Sequence, residues 1–319
     1  MHKNDSDKGK IITITVNTAL DLYIEIEGLA HNDNIVAQSN TEFACGKGVN
    51  VARGVASLSI AVTCLGFVGQ QSLPTFEALD SEFIQTDFTA VEGKTRTNIT
   101  LFDRTDNRET HIRTKGYTVN AEDCRHLKDK LAALLTPNDI VVLSGSLPPG
   151  MAPDWYAEMI ELCRGKRATA LLDSSGNAMN NGLAAKPYLI KPNQQELEQI
   201  VGAPLKNEAE IVSAARGLVE QGIHWIYVSR GAQGVVVVGR RVAMAANIVD
   251  TPSRILTHIG CGDAMVAGLA VATRNGESLE NTVKTSIACG VANLYSREPG
   301  KFEQKLQQEM MSKIAIRSL

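Results

Sequence analysis

The stretch THIGCGDAMVAG, residues 257–268, sets Asp263 behind Gly260 and Gly262 at the head of a run of small apolar residues. A carboxylate there has two readings. As a cap it would accept hydrogen bonds from the free N–H groups of a helix start. As a general base it would take a hydroxyl proton beside an anion held at that same start. Three more glycine-rich turns invite the same question: ACGKGVNVAR (44–53), which carries Lys47 and Asn50, LSGSLPPG (143–150) and VSRGAQG (228–234). For each one alone, ordinary loop geometry is the plain alternative.

The familiar nucleotide signatures are absent. CGKG at 45–48 lacks the spacing of a Walker A loop, no G-x-G-x-x-G follows a strand, and no G-x-S-x-G is present. The charge balance, 32 Lys+Arg against 35 Asp+Glu in 319 residues, argues against a general nucleic-acid binder. No apolar run reaches bilayer length, and MHKNDSDKGK lacks the apolar centre of a signal peptide. The six cysteines are scattered without a C-x-x-C pair, as expected of reduced thiols in a cytoplasmic protein.

The elements that must position these turns follow from hydrophobic period. Apolar runs at 11–16, 61–67, 139–145, 168–173, 188–192, 225–229 and 234–239 read as strands. Helical spacing lies between several of them, at 48–58, 152–165 and 207–222. The expected fold is α/β, a mainly parallel sheet with helices on both faces, spanning 11–319 after a disordered tail at 1–10. Residues 21–43 and 95–114 instead alternate apolar and polar, with turns at 30–34 and 103–107. They read as a separate small β-sheet, a lid over a cleft, with a decorative hairpin as the alternative. Strand-to-helix turns gather at one end of a parallel sheet, so the glycine-rich turns are expected to share a crevice.

Taken together and in order, ACGKGVNVAR, KTRTNIT, VVLSGSLPPG, LLDSSGNA, LIKPNQQEL, VSRGAQG and GCGDAMVAG resemble the ribokinase-like superfamily of ATP-dependent sugar kinases. The branch of 1-phosphofructokinases and tagatose-6-phosphate kinases is most similar, over about residues 11–295. The resemblance implies ATP with Mg²⁺, Asp263 as catalytic base and helix start at once, and an anion hole from the N–H groups of Gly260, Cys261 and Gly262. It implies that Asn193 and Glu196 order Mg²⁺ through water, and that Ser229, Gly231, Gly234 and Lys191 face the nucleotide. For Asn193 and Glu196 the alternative is an exposed helix start capped by Asn. On the sugar side it implies Asp21, Gly46 and Asn50, with Lys47 and Arg96, on the two lid segments, gripping a substrate phosphate and Asn98 assisting.

Fructose 1-phosphate, converted to fructose 1,6-bisphosphate, is the expected substrate. Tagatose 6-phosphate and fructose 6-phosphate are alternatives, and a weakly catalytic sugar-phosphate sensor is the alternative of another class. The lid edges imply a homodimer formed through the lid. Departures from the pattern are Cys261 and Ala264 in the final motif and NTALD at 17–21, which lacks a proline. Cys45, beside the sugar pocket, could sensitise the protein to thiol reagents. His258 stands where Thr is common, which puts the implied K⁺ requirement in question.

Overall fold

The computed structural model describes residues 8–30, 32–250 and 255–319. The chain opens with β1 (Ile11–Thr15), β2 (Ala19–Ile26), β3 (Ser39–Cys45) and α1 (Lys47–Ser57). It continues through β4 (Val62–Gly69), α2 (Leu73–Glu77), β5 (Ile84–Val91), β6 (Arg96–Asp103), β7 (Arg108–Arg113) and α3 (Ala121–Leu134). Strands and helices then alternate: β8 (Ile140–Ser144), α4 (Trp155–Gly165), β9 (Thr169–Asp173), α5 (Gly176–Leu183), β10 (Leu189–Ile190), α6 (Gln194–Val201), α7 (Glu208–Glu220) and β11 (Trp225–Ser229). The last part holds β12 (Val235–Gly239), β13 (Val242–Ile248), α8 (Cys261–Asn275), α9 (Leu279–Asn293), α10 (Gln304–Met311) and β14 (Ile314–Ser318).

Ten strands form the main sheet in the order β14-β13-β12-β11-β10-β9-β8-β1-β4-β5. From β5 to β11 all neighbours are parallel, and β12, β13 and β14 add an antiparallel margin. The apolar runs are continuous because each strand is covered twice. Ile12, Ile14, Val141 and Leu143 face a core shared with α3, α4 and α7. Ile11, Ile140 and Val142 face a second core with α1, α8 and α9. From β1 the chain proceeds to β4 and β5 on one side and later returns to β8 on the other. That reversal opens a crevice at the carboxyl end of β1, where open parallel sheets bind ligands.

The four-stranded second sheet has the order β3-β2-β6-β7, with β2 and β6 parallel and both outer pairs antiparallel. The hairpin between β6 and β7 turns where DRTDN predicts, with the Asp103 carboxylate accepting from the N–H groups of Thr105, Gly28 and Leu29. One expectation is corrected here. Alternation in 108–113 predicts one dry face, yet all six residues of β7 are exposed, because among the described residues β7 pairs only with β6 at the end of its sheet. Residues 1–7 of the expected tail and His31 of the expected turn lie outside the described residues. At the tail's end the Lys10 N–H donates to Asp139 Oδ1 at 2.7 Å, which ties it to the start of β8. No described helix is long and apolar enough to cross a membrane.

Candidate active site

Helix α8 starts at the glycine-rich turn. Gly260 is the N-cap, at φ 85°, a left-handed conformation that a side chain would strain. No side chain caps this helix. Asp263 therefore does not close the helix start, contrary to the double role expected of it. It is the third helical residue, buried, and its Oδ2 accepts from Asn50 Nδ2 at 2.8 Å. The N–H groups of Cys261, Gly262 and Asp263 lie in the first turn, where helical geometry supplies no acceptor.

Two lysines converge on this start. A Cβ placed on Gly262 would stand 3.4 Å from Lys191 Nζ, so the ammonium lies against the helix opening. Lys191 Nζ is also 3.6 Å from Asp173 Oδ1, and Lys47 Nζ is 3.3 Å from Asp173 Oδ2. Asp173, the last residue of β9, is the central charge, and the motifs assign it no role. A lone Asp ending an apolar run resembles any turn residue; the signal was its place at a parallel strand's carboxyl end, in LLDSSGNA. Burial alone would push its carboxyl up, but Lys191 and then Lys47 hold it below the usual carboxylate range.

Asp263 behaves in the opposite way. Burial pushes its carboxyl up to about 6, with Asp173 adding to the rise while Lys47, Asn50 and Lys191 oppose it. Two carboxylates on one wall are thus driven apart, one held ionised and the other poised near neutrality. Such a separation is also what acid–base sites are built to produce. Lys47 is itself raised, first by Asp173.

The nucleotide-side candidates meet at the ends of β10 and β11. The Ser229 N–H donates to Pro192 O at 3.0 Å, and Asn193 and Ser229 form an isolated parallel bridge. Gly231 is exposed in a single 3₁₀ turn that Gly234 closes by donating to Gly231 O. Asn193 and Glu196 make a capping box on α6: Asn193 Oδ1 accepts from the Glu196 N–H, and Glu196 Oε2 accepts from the Asn193 N–H, both at 2.8 Å. The cap reading is thus realised in both side chains, with Glu196 Oε1 outside the box.

On the sugar side, Asp21 of β2 accepts at Oδ1 from Asn98 Nδ2 of β6 at 2.7 Å, and Asn98 Oδ1 is buried without a hydrogen-bond partner. Gly46 is the N-cap of α1. The expected Lys47–Arg96 clamp is redrawn. Lys47 lies on α1, not on the lid, because the helix starts directly after β3 and carries its ammonium to Asp173. Arg96 is on the lid as expected, donating from Nε to Thr18 O at 3.3 Å and from Nη2 to Asn17 O at 3.0 Å. Cys45 is 1 % exposed and its thiol is driven well above the ordinary range, chiefly by burial. That removes the reason to expect thiol-reagent sensitivity there. A cavity of 580 Å³ runs between the lid and the segment before α8, lined by Asp21, Phe43 and Thr100 on one side and Thr257, His258 and Pro299 on the other. Of the sugar-side candidates only Asp21 lines it, so the cavity leads outward from the cluster around Asp263.

Residues 14–305 match the pfkB family carbohydrate kinase profile. The chain belongs to that family. It is 30 % identical over 307 residues to the 1-phosphofructokinase of Haemophilus influenzae, covering 96 % of this chain and 97 % of that one. Against the 1-phosphofructokinase of Xanthomonas campestris the identity is 36 % over 293 residues, covering 89 % and 91 %. The fold is shared with Escherichia coli phosphofructokinase-2 in complex with potassium, at TM-score 0.87 and 22 % identity over 95 % of this chain and 98 % of that one. Membership makes the chain a sugar kinase, a phosphotransferase. The buried Asp263 carboxyl stands in the first turn of α8 within that matched span.

Proposed function

We propose that this kinase transfers the γ-phosphoryl group of ATP to fructose 1-phosphate, giving fructose 1,6-bisphosphate and ADP. The observation that carries the reading is Asp263: a buried carboxyl poised at about 6, directly beside an uncapped helix start that a lysine already approaches. The substrate follows from the curated relatives, which are 1-phosphofructokinases.

In this reading the sugar binds under the lid. Asp21 and the unpartnered Asn98 Oδ1 accept from its hydroxyls, and Arg96 holds its phosphate. Asp263 accepts the proton of the attacking hydroxyl as its oxygen bonds to the γ-phosphorus, and the bond from phosphorus to the ADP oxygen breaks. Negative charge spreads over the transferring oxygens, so fixed donors are the main catalytic resource. The first-turn N–H groups of Cys261 and Gly262, the turn at Gly260 and the ammonium groups of Lys191 and Lys47 supply them. Ser229, Gly231 and Gly234 border the nucleotide.

The donor set fits Mg²⁺ held mostly through water. Among the described residues no group of three His, Cys, Asp or Glu could cage a metal, and Glu196 keeps one hard oxygen outside its capping box. Asn193 and Glu196 would hold the ion's waters, and the ion would neutralise phosphate charge. Potassium would act at the loop before Gly260, where His258 lies. The homodimer through the lid is part of the same reading, supported by the bare β7.

The test is ATP consumption by the purified protein with Mg²⁺, offered fructose 1-phosphate, fructose 6-phosphate, tagatose 6-phosphate, free fructose and ribose. Turnover with fructose 1-phosphate, at a kcat/KM at least about tenfold above the others, is expected. Preference for a free sugar would sink the phosphate role of Arg96; binding without turnover would make the protein a sensor.

A further inference from the structure

Arg53 is a buried cation that the proposed mechanism does not use. It projects from the second turn of α1 and is 5 % exposed. Its Nη2 donates to Ala44 O at 2.6 Å, and its Nη1 donates to Asn50 Oδ1 at 3.2 Å and approaches Cys45 Sγ at 3.8 Å. Its Nε lies 2.9 Å from Glu298 Oε1, an ion pair without an aligned hydrogen bond. Glu298 belongs to the turn after α9. This turn packs behind the glycine-rich start of α8: a Cβ on Gly260 would stand 2.7 Å from Gly300 N and 2.9 Å from Pro299 Cα.

We infer that Arg53 is a positioning residue for Asp263, acting through Asn50. A primary amide can present either its oxygen or its NH₂ group to a given neighbour, and the neighbours decide. A guanidinium has only N–H donors, so the amide edge facing Arg53 must be oxygen. The NH₂ group then faces Asp263 and donates to Oδ2. Turned the other way, the amide would set its oxygen against the carboxylate and its NH₂ against a cation, two repulsions in a buried site. Arg53 thereby fixes the sense of the hydrogen bond that orients the base. Glu298 holds the guanidinium from the α8 side, so the turn carrying Gly46 and Lys47 and the helix carrying Asp263 are braced by one side chain.

This inference rests on Asp263 being the base, and its test is chosen to be read without turnover. The groups acting on Asp263 are Asn50 and Lys47 from α1, Asp173 from β9 and Lys191 from the segment after β10. The Asn50 bond favours the ionised form, so losing its fixed sense raises the titration midpoint. Asp263 is followed by ¹³C carboxyl NMR in the full chain, its signal assigned with Asp263→Asn. In Arg53→Lys, which keeps a charge but loses the planar fork, the midpoint should rise by about half to one pH unit. In Glu298→Gln, altered at a partly exposed side chain, it should rise by about half as much. In an Asn50→Ala background, Arg53→Lys should move it no further, because Asn50 is the link. With the substrate of the wild type, kcat in Arg53→Lys should fall about tenfold while the KM for ATP holds.

An unmoved midpoint in Arg53→Lys and Glu298→Gln overturns the inference, even where stability falls. An equal shift in the Asn50→Ala background overturns the route through Asn50. If Arg53→Lys does not fold, Glu298→Gln decides alone, in its own right and in the Asn50→Ala background. Failure of the wild type to turn over any sugar would refute the proposed function, and the titrations would still decide whether Arg53 orients Asp263.

Discussion

The two walls of the crevice are built on different principles. The wall made by β9, α1, α8 and the segment after β10 is dense with charge: Asp173, Lys191 and Asp263 are buried, Lys47 is partly exposed, and all four have fixed partners within this chain. The lid wall holds Asp21 through one amide, Arg96 through two backbone carbonyls, and ends in a strand exposed on both faces. Chemistry that depends on a tuned proton acceptor needs the first kind of wall, because burial and fixed charges set the pKa. Capture and release of a polar sugar need the second, because a lid must part from its ligand. The difference teaches where to expect losses in kcat and where losses in KM.

The sharpest way to break the comparison is Asp263→Asn. We expect kcat to fall by about 10²–10⁴-fold, the usual worth of a general base, with sugar binding retained by isothermal calorimetry. In the wild type kcat/KM should decline below pH about 6, as the carboxyl is protonated. The stability consequence has a definite sign. A folded pKa raised from 3.8 to about 6 gives stability that is present below pH about 4 and lost as pH rises through 6. Asp263→Asn should therefore gain stability relative to wild type between pH 4 and pH 8, by up to about 3 kcal/mol. Urea titrations at those two pH values measure it. A variant with undiminished kcat would remove the base from the proposal.

Asp173→Asn tests whether the charged wall is one unit. Removing this carboxylate leaves the buried Lys191 ammonium without its counter-charge and beside the partly exposed Lys47, and breaking a buried pair costs about 3–5 kcal/mol. The midpoint of denaturant unfolding at pH 7 should fall accordingly. Lys191→Met, which removes one of those cations, should partly restore it. Additive losses in the double variant would mean that the three groups act independently.

Arg96→Met probes the other wall. Loss of a charged hydrogen-bonding group is worth about 1.5–3 kcal/mol, so the KM for the sugar phosphate should rise about ten- to a hundredfold. The KM for ATP should be unchanged and kcat should fall much less. An equal loss on free fructose would show that Arg96 shapes the lid and does not read the phosphate.

How far these walls were legible beforehand depends on what constrained each residue. β1, β8, β11 and β12 could be read because strands covered on both faces favour runs of apolar and β-branched residues, among which Thr13, Thr15 and Ser144 are buried as well. β5 could not, since IQTDFTAV ends the sheet and keeps polar residues on its open side; β10 could be found but is only two residues long. β2 and β6 showed their alternation, whereas β7 showed the same period with no buried face behind it. In the site, spacing left Asp263 open between a helix cap and a general base, because a carboxylate behind glycines at a helix start suits both; only the resemblance of the ordered motifs implied the base. Spacing could not tell that Lys47 turns toward Asp173, because 126 residues separate them and only the packing of α1 against β1 and β8, the latter next to β9 in the sheet, decides it. Asn193 and Glu196 fit a capping box and a magnesium pattern equally well, since both uses ask for the same side chains.

The smallest expected effect on activity concerns what completes the lid. Among the described residues β7 ends its sheet with one edge unpaired, and between its charged Arg108, Glu109 and Arg113 it leaves Ile112 50 % exposed. A second lid laid against it would cover both. Sedimentation of the wild type at micromolar concentration should then give twice the chain mass, and Ile112→Asp should give the single mass. Because Arg96 and Asn98 lie on β6, the strand paired with β7, separating the protomers should raise the KM for the sugar a few-fold while leaving kcat nearly intact. A wild type that sediments as a single chain would show that the bare strand is tolerated. A variant that separates with no change in KM would show that each lid holds its substrate wall unaided.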